Sequence, residues 1–237
     1  MPKNLMKSMA VWSISQGLKL PYAHLDRMSE LNYLRLLLHD MSVDCVLDVG
    51  ANIGQFATEL RGIGYQGHIV SFEPVGSVFQ ALSANFAGDV RWKGYNMALG
   101  RVDSEMTIHV PRLTVMSSLL ASTQDEPGMR EEVVQVRTLD GLLPQVKAEL
   151  GVSRVLLKMD TQGYDMEVFR GAQGCLDDIC GIQSELSVQP LYQGMPHYIE
   201  SLQAYESAGY DLYNLAVVNR IETGGLLELN CLMRSRV

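Results

Sequence analysis

Val46 to Phe56 reads Val-Leu-Asp-Val-Gly-Ala-Asn-Ile-Gly-Gln-Phe, an apolar run that closes on two glycines with a carboxylate just before them. A run of that kind is a buried strand breaking into a tight turn. Gly50 and Gly54 let the backbone bend sharply and come close to a ligand, and a helix opening near Gly54 would offer free N–H groups to an anionic ligand atom. Glu73 stands 19 residues beyond Gly54 and closes the next apolar run. A carboxylate there can accept both hydrogen bonds of a ribose diol, and Pro74 keeps the backbone extended beside it. Taken singly, the glycines are explained by a turn without a ligand and Glu73 by a surface carboxylate. Their spacing is what joins them into one site for an adenosine-like group.

That spacing serves any adenosine ribose, so the turn must separate the ligands. A dinucleotide fingerprint would read Gly-x-Gly-x-x-Gly, with glycines packed under a pyrophosphate. Here Asn52 holds the third position and Asp48 lies two residues before the first glycine. A negative charge there would repel a pyrophosphate and suit the ammonium end of a methionine moiety. Further along, Lys158 and Asp160 alternate with Met159 and so project from one face of their strand. A structural ion pair and a catalytic set both fit that placement. Glu185 closes the following strand, and either backbone hydrogen bonding or substrate duty would explain it. His197 heads a helix after the Pro190 to Pro196 loop, which favours a cap or surface role; His24, His39, His68 and His109 read as structural.

The elements that must hold these residues alternate. Candidate strands are Cys45 to Val49, His68 to Phe72, Val90 to Ala98, Arg154 to Met159, Gly181 to Leu186, Tyr210 to Val217 and Leu226 to Met233. Helical spacing fills Gly54 to Gly62, Val75 to Phe86, Leu139 to Leu150, Tyr164 to Leu176 and His197 to Ala208. The alternation predicts an α/β fold, a seven-stranded, mostly parallel sheet covered on both faces. The last two strands, with Thr-Gly-Gly between them, predict an antiparallel hairpin. In an open parallel sheet the crevice lies outside the carboxyl ends of the strands; Asp48, Gly50, Glu73, Asn96 to Ala98, Asp160 and Glu185 all fall there. A further strand pair, Met106 to Val110 and Val133 to Arg137, brackets a loop from Pro111 to Glu132 of the length expected for a lid or binding loop. Residues 5 to 40 read as two helices broken at Pro21, with Leu31, Leu34, Leu37 and Leu38 at helical spacing. The domain reading is an N-terminal helical extension over 1–42 and one catalytic domain over 43–237.

The motifs together resemble the FkbM family of methyltransferases. The resemblance runs from about Val46 to Met233 through Asp-Val-Gly-Ala-Asn-Ile-Gly, Ser-Phe-Glu-Pro at 71–74, Ala-Leu-Gly at 98–100, Leu-Lys-Met-Asp-Thr-Gln-Gly-Tyr-Asp at 157–165, Arg-Gly-Ala at 170–172 and Ser-Glu-Leu-Ser at 184–187. It implies a Rossmann-like class I methyltransferase domain that uses S-adenosylmethionine to methylate a hydroxyl oxygen of a sugar, a glycolipid or a polyketide-type natural product. Carried over, it puts Asp48, Gly50, Asn52 and Gly54 around the methionine end, Glu73 on the ribose, and Asn96 to Ala98 beside the adenine. Asp160 would face the transferring methyl or the donor's amino group, with Lys158 orienting it or binding substrate. The usual family pattern, Lys-x-Asp-x-Glu-Gly-x-Glu, is broken at Gln162 and Asp165, so neither is assigned an essential acid role.

An alkyl hydroxyl attacks only as its proton leaves, so a base within roughly 2.6 to 3.2 Å is required; Asp160 and Glu185 are the candidates. A divalent metal could acidify the hydroxyl instead, but the sequence holds no full ligand set, and no metal is assigned. Across 237 residues, 47% are hydrophobic and 19% charged, the balance of an ordered globular chain. The net charge of -8 with 19 scattered basic residues argues against a nucleic-acid partner, because phosphate contacts need clustered Lys and Arg. Cys45, Cys175, Cys180 and Cys231 form no Cys-x-x-Cys pair and read as buried thiols of a reducing cytosol. The apolar patch Met9 to Ile14 is interrupted by polar residues and lacks a small-residue cleavage site, so it is not read as a secretion signal. No run reaches membrane-spanning length. The expected location is cytoplasmic, peripheral to the membrane if the acceptor is a glycolipid, and a homo-oligomer stays open. Two other readings compete: a donor-binding or interaction protein of the same fold that has lost catalysis, and a NAD-dependent oxidoreductase, which the missing third glycine disfavours.

Overall fold

The computed structural model describes residues 22–123 and 128–236. In chain order its elements are α1 (Tyr22–Asp40), β1 (Cys45–Val49), α2 (Gln55–Gly62), β2 (His68–Phe72), α3 (Gly76–Asn85), β3 (Trp92–Tyr95), β4 (Ala98–Leu99), β5 (Ser104–Val110), β6 (Arg130–Arg137), α4 (Leu139–Leu150), β7 (Val155–Met159), α5 (Asp165–Arg170), β8 (Ile179–Ser187), α6 (Tyr198–Ser207), β9 (Tyr210–Arg220) and β10 (Leu226–Ser235).

Seven strands form one sheet in the order β3-β2-β1-β7-β8-β10-β9. The first five run parallel, and β10 pairs antiparallel with both β8 and β9. This is the Rossmann-like sheet with a C-terminal antiparallel hairpin that the alternation predicts. Every residue of β1 and β7 is buried, as strands covered on both faces must be. Cys45, Leu47 and Val49 point into a core shared with α4, α5 and α6. Val46 points the other way, into a core with Leu34, Leu37 and Leu38 of α1 and Phe56, Ala57 and Leu60 of α2. Each such Leu or Phe withdrawn from water contributes roughly 1.5–3 kcal/mol. The strand ends are in register: Val49 lies opposite both Phe72 and Met159, Phe72 opposite Tyr95, and Met159 opposite Ser184. The carboxyl ends of β1, β2, β3 and β7 therefore form one level rim, and β8 runs three residues past it to Ser187.

Three expectations need correction. The run Val90 to Ala98 is not one strand: β3 ends at Tyr95, the chain turns at Asn96 and Met97, and Ala98 and Leu99 join a second sheet, β4-β6-β5. The spacing was continuous because β3 is partly covered and β4 buried, so periodicity gave no sign of the change of sheet. The helix expected over Tyr164 to Leu176 ends at Arg170, because Gly171 lies against the Gly100 backbone, where a Cβ would come 2.0 Å from the Gly100 carbonyl oxygen. The loop expected from Pro111 to Glu132 is shortened by β6, which begins at Arg130, and carries a 3-10 turn at Thr114–Met116. Of the two helices read over residues 5 to 40, α1 is present from Tyr22; the first lies outside the described residues. No helix among the described residues is long and apolar enough to cross a membrane.

Candidate active site

The turn after β1 sits at the middle of the rim. The N–H groups of Gly50 and Ala51 both donate to the Phe72 carbonyl, at 3.0 and 3.1 Å, which ties the turn to the end of β2. Gly50 has φ +76°, and a Cβ there would stand 2.0 Å from the Asp160 carbonyl oxygen; no other residue can occupy this position without moving β7. Gly54 has φ +94°, with the Phe86 ring 2.2 Å from where its Cβ would be. The space beside each glycine is filled by protein, so their smallness lets neighbouring elements close on the turn.

Glu73 is buried and lines a cavity of about 500 Å³, counting space open to solvent, that also touches Asn52, Ala98, Ile108, Asp160 and Tyr164. Its Oε1 accepts the Val75 N–H and its Oε2 the Asn52 N–H, both at 2.9 Å. Each oxygen keeps a lone pair for a further donor. Burial pushes the Glu73 pKa up to about 7 against these two hydrogen bonds. Asn96 does not reach the cavity: its Nδ2 donates to the carbonyls of Glu73 and Pro74, at 2.9 and 3.0 Å, and braces that strand end. Ala98 does reach it, and the small sheet supplies the apolar wall through Ile108.

A second cavity, about 800 Å³ on the same count, lies on the α1 side of the turn and touches Arg27, Gln55, Phe56, Lys158, Gln183 and Asn230. Its floor is a polar row set by sheet register, with Asp48 beside Lys158 and Lys158 beside Gln183. Asp48 is 0% exposed and borders neither cavity. Its Oδ1 accepts Lys158 Nζ at 2.9 Å, and its Oδ2 has no partner. Burial works to lower the Lys158 pKa, but the charges of Asp48 and Asp160 and the hydrogen bond to Asp48 outweigh it and hold the ammonium protonated far into alkali. Arg27 and Glu30 of α1 close the row: Glu30 accepts from Gln183 at 3.0 Å and Asn230 at 2.8 Å, and Arg27 pairs with both Glu30 and Glu59.

Gly50, Asn52, Val115 and Asp160 border both cavities. Asp160 is the carboxylate at this junction, its side chain 42% exposed and its Oδ2 3.6 Å from Lys158 Nζ. The Gln162 Nε2 donates to Asp160 Oδ1 at 3.2 Å and to Glu185 Oε2 at 3.1 Å. Glu185 is half-buried, and burial followed by the charges of Asp160, Glu228 and Asp165 pushes its pKa well above the usual carboxylate range. The structure thus brings Lys158, Asp160 and Glu185 into one cluster with Asp48 beneath. Asp165 is buried and fully occupied: it accepts from Thr161 N and Oγ1 at 2.8 and 2.5 Å, Ser184 Oγ at 2.8 Å and Glu185 N at 3.2 Å. It clamps the turn after β7 to β8. His197 is the residue before α6 and makes no side-chain cap.

The loop that follows β5 and the loop that precedes α6 are joined to each other. Thr123 N donates to the Leu191 carbonyl at 3.0 Å and Gln193 N to the Ala121 carbonyl at 2.9 Å. Tyr192 Oη, with one proton to give, lies 3.0 Å from Gln162 Oε1 and 3.2 Å from the Met116 carbonyl, and Ser118 Oγ donates to the Gln162 carbonyl at 2.8 Å. Sequence reasoning missed Gln162 as a hub, Arg27, Gln183 and Asn230 as part of the second cavity, and Glu30 as the buried acid that holds them. The departure of Gln162 from the family pattern was a usable signal for the first; α1 and the hairpin meet only in three dimensions and left none for the rest. Among the described residues no group of three or more His, Cys, Asp and Glu is arranged to hold a metal ion.

Residues 48–212 match the methyltransferase FkbM domain family. No curated protein matches the sequence significantly. Among solved structures the fold is similar to Aeropyrum pernix fibrillarin with natively bound S-adenosyl-L-methionine (10% identity, 81% of this chain and 66% of that chain, TM-score 0.45). It is also similar to a SAM-dependent methyltransferase of Leishmania major (11%, 94% and 76%, 0.47) and to the magnesium protoporphyrin IX methyltransferase of Synechocystis PCC 6803 (6%, 92% and 85%, 0.48).

Proposed function

We propose that this chain, which belongs to the FkbM methyltransferase family and so to the S-adenosylmethionine-dependent methyltransferases, transfers a methyl group to a hydroxyl oxygen of a sugar, glycolipid or polyketide-type natural product. One observation carries the residue assignment: Asp160 borders both cavities, at their junction, with its carboxylate exposed. The residues fit the donor. An apolar slot ending on Glu73 matches an adenosine, and the polar chamber beyond Asn52 matches an amino-acid end. When bound, the donor supplies an electrophilic methyl on a positively charged sulfur.

In this reading Glu73 accepts from the ribose hydroxyls, with Asn96 bracing its strand end, Gly50, Asn52 and Gly54 shape the turn beneath the donor, and Ala98 borders the adenine. Asp48 neutralises Lys158 and thereby fixes the floor of the site. Asp160 takes the proton from the acceptor hydroxyl as the oxygen attacks. Lys158, 3.6 Å away, orients Asp160, and Glu185 shares the proton-accepting cluster. Ile108, Val115 and Tyr164 keep water from the reacting line, which favours a step that disperses charge. The acceptor enters beneath the joined loops at Ser118 and Tyr192. The catalytic domain spans 43–237 behind a helical extension, and the enzyme works in the cytoplasm, at the membrane surface if its acceptor is a glycolipid.

Calorimetric titration with S-adenosylmethionine and with NADH tests the donor; heat with the first alone is expected. Mass spectrometry of candidate acceptors for the added mass of one methyl group tests the reaction. Asp160→Asn should lower kcat by about 10²–10⁴ while donor affinity changes less than tenfold. Donor binding with no methylated product on any acceptor would favour a binding protein over an enzyme.

A further inference from the structure

We infer that Gln162 is a positioning residue whose amide yokes Asp160 to Glu185 and fastens both to the loops that roof the cleft. The inference rests on the methyl-transfer reading for what the two carboxylates do, but the yoke itself can be tested without turnover. A primary amide carries two N–H donors and one acceptor oxygen. Both donors of Gln162 go to carboxylates, Asp160 at 3.2 Å and Glu185 at 3.1 Å, and its Oε1 accepts Tyr192 Oη at 3.0 Å. Its own carbonyl accepts Ser118 Oγ at 2.8 Å. Every polar atom of this buried side chain is therefore used, and each partner belongs to a different element.

The backbone supports the same reading. Gln162 has φ +52°, in the left-handed region that favours glycine, and sits directly before Gly163 at φ +90°. A non-glycine residue persists there when its surroundings hold it, and such positions cluster at functional sites. The other charged and titratable groups facing the yoked pair are accounted for. Lys158 lies against Asp160 and is shared with Asp48. Asp165, from α5, is occupied by Thr161 and Ser184. Glu228, from β10, accepts from Asn219 at 2.6 Å, and Tyr192 comes from the roof. Two carboxylates close together repel, and a neutral donor fork between them lowers that repulsion without adding charge. A glutamate at 162, which the family pattern would place there, has no N–H to give and would set a third acid between the other two. Because Ser118 and Tyr192 grip the same residue, a shift of the roof is a shift of the acid pair.

The test compares Gln162→Glu, Gln162→Leu and Tyr192→Phe with the wild type by the pH dependence of kcat/KM, by thermal midpoint, and by NMR titration of ¹³C-labelled carboxyls in the donor-free protein. Gln162→Glu should move the acidic limb of kcat/KM upward by about one pH unit, a tenfold change in proton affinity, because the base must be deprotonated to act. The Glu185 carboxyl should shift in the same direction. Gln162→Leu should lower kcat by roughly 10- to 100-fold through loosened geometry, and Tyr192→Phe should raise KM for the acceptor and lower kcat together. A purely structural residue would lower the thermal midpoint and leave the pH profile and the Glu185 titration superimposable on the wild type, and that result overturns the inference. If a Gln162 variant fails to fold, Tyr192→Phe decides, and unchanged kcat and KM there would overturn it. If the wild type methylates no acceptor, the methyl-transfer reading falls while the carboxyl titration still decides the yoke.

Discussion

Replacing Lys158 by Met should cost more stability than any other single change at the rim that leaves the backbone untouched. Lys158 and Asp48 form an ion pair with side-chain exposures of 7% and 0%, between adjacent strands in the middle of the sheet. Removing the ammonium strands a carboxylate whose Oδ2 already has no partner. Breaking a buried pair in this way costs about 3–5 kcal/mol. At roughly 2.1 cal/mol/K per residue the unfolding entropy of a chain this size is about 0.5 kcal/mol/K, so the thermal midpoint should fall by roughly 6–10 °C. Removing both charges should behave differently: Asp48→Leu with Lys158→Met leaves nothing unpaired and should recover most of the loss. The assay is urea and thermal unfolding of both variants and the wild type without donor. The pair also has an alkaline signature. The Lys158 pKa is raised in the folded state, so its stabilisation is complete below the unfolded lysine value near 10.4 and is lost as pH rises toward the folded value. A single variant within about 1 kcal/mol of the wild type, or a double variant no better than the single, would refute the reasoning.

Glu73→Gln keeps the shape but removes the charge that would meet a ribose diol, and should weaken S-adenosylmethionine binding by roughly 10- to 100-fold in calorimetry, the scale of one hydrogen bond to a charged group. With the Glu73 pKa pushed up to about 7 in the folded chain, the donor-free protein should lose stability as pH rises from about 4.3 to 7; Glu73→Gln should flatten that slope in unfolding curves. Gly50→Ala should destabilise the fold by about 3 kcal/mol or more in the same assay, because its Cβ would meet the Asp160 carbonyl at 2.0 Å and its φ is +76°. Asn96→Ala should weaken donor affinity less than Glu73→Gln, since Asn96 only braces the strand end through two carbonyls.

The fold was legible because its strands are short, apolar and separated by helical spacing. β1, β2 and α4 have the bounds that this pattern predicts, and the Thr-Gly-Gly turn marked the β9–β10 hairpin. What failed to show was whatever depends on how elements meet. Val90 to Ala98 reads as one run, yet it serves two sheets, since period-two spacing records which residues are covered and not by what. The end of α5 is set by the approach of Gly100 to Gly171, a contact between residues 71 positions apart that leaves no local stop signal.

The same distinction governs the site. Residue types at strand ends identified Asp48, Glu73, Asp160 and Glu185 as the acids of the rim, because a parallel sheet delivers its strand ends to one edge. Type and position could not say which acid faces a cavity and which is consumed by structure. Asp48 lies two residues short of the turn, and in a strand buried on both faces that displacement puts it beneath the rim, where it pairs with Lys158 from the adjacent strand. Asp160 lies one residue beyond the end of β7 and escapes into the junction of the cavities. Two positions along a parallel pair thus separate a carboxylate that holds the floor from one that can meet a substrate. An acid's level relative to the rim, read from sheet register, therefore sorts structural from reactive carboxylates in this sheet better than its residue type does. By register Glu185, the residue after Ser184, stands level with Asp160, because β8 runs on past the rim to Ser187. The two carboxylates are joined at that level by the Gln162 amide.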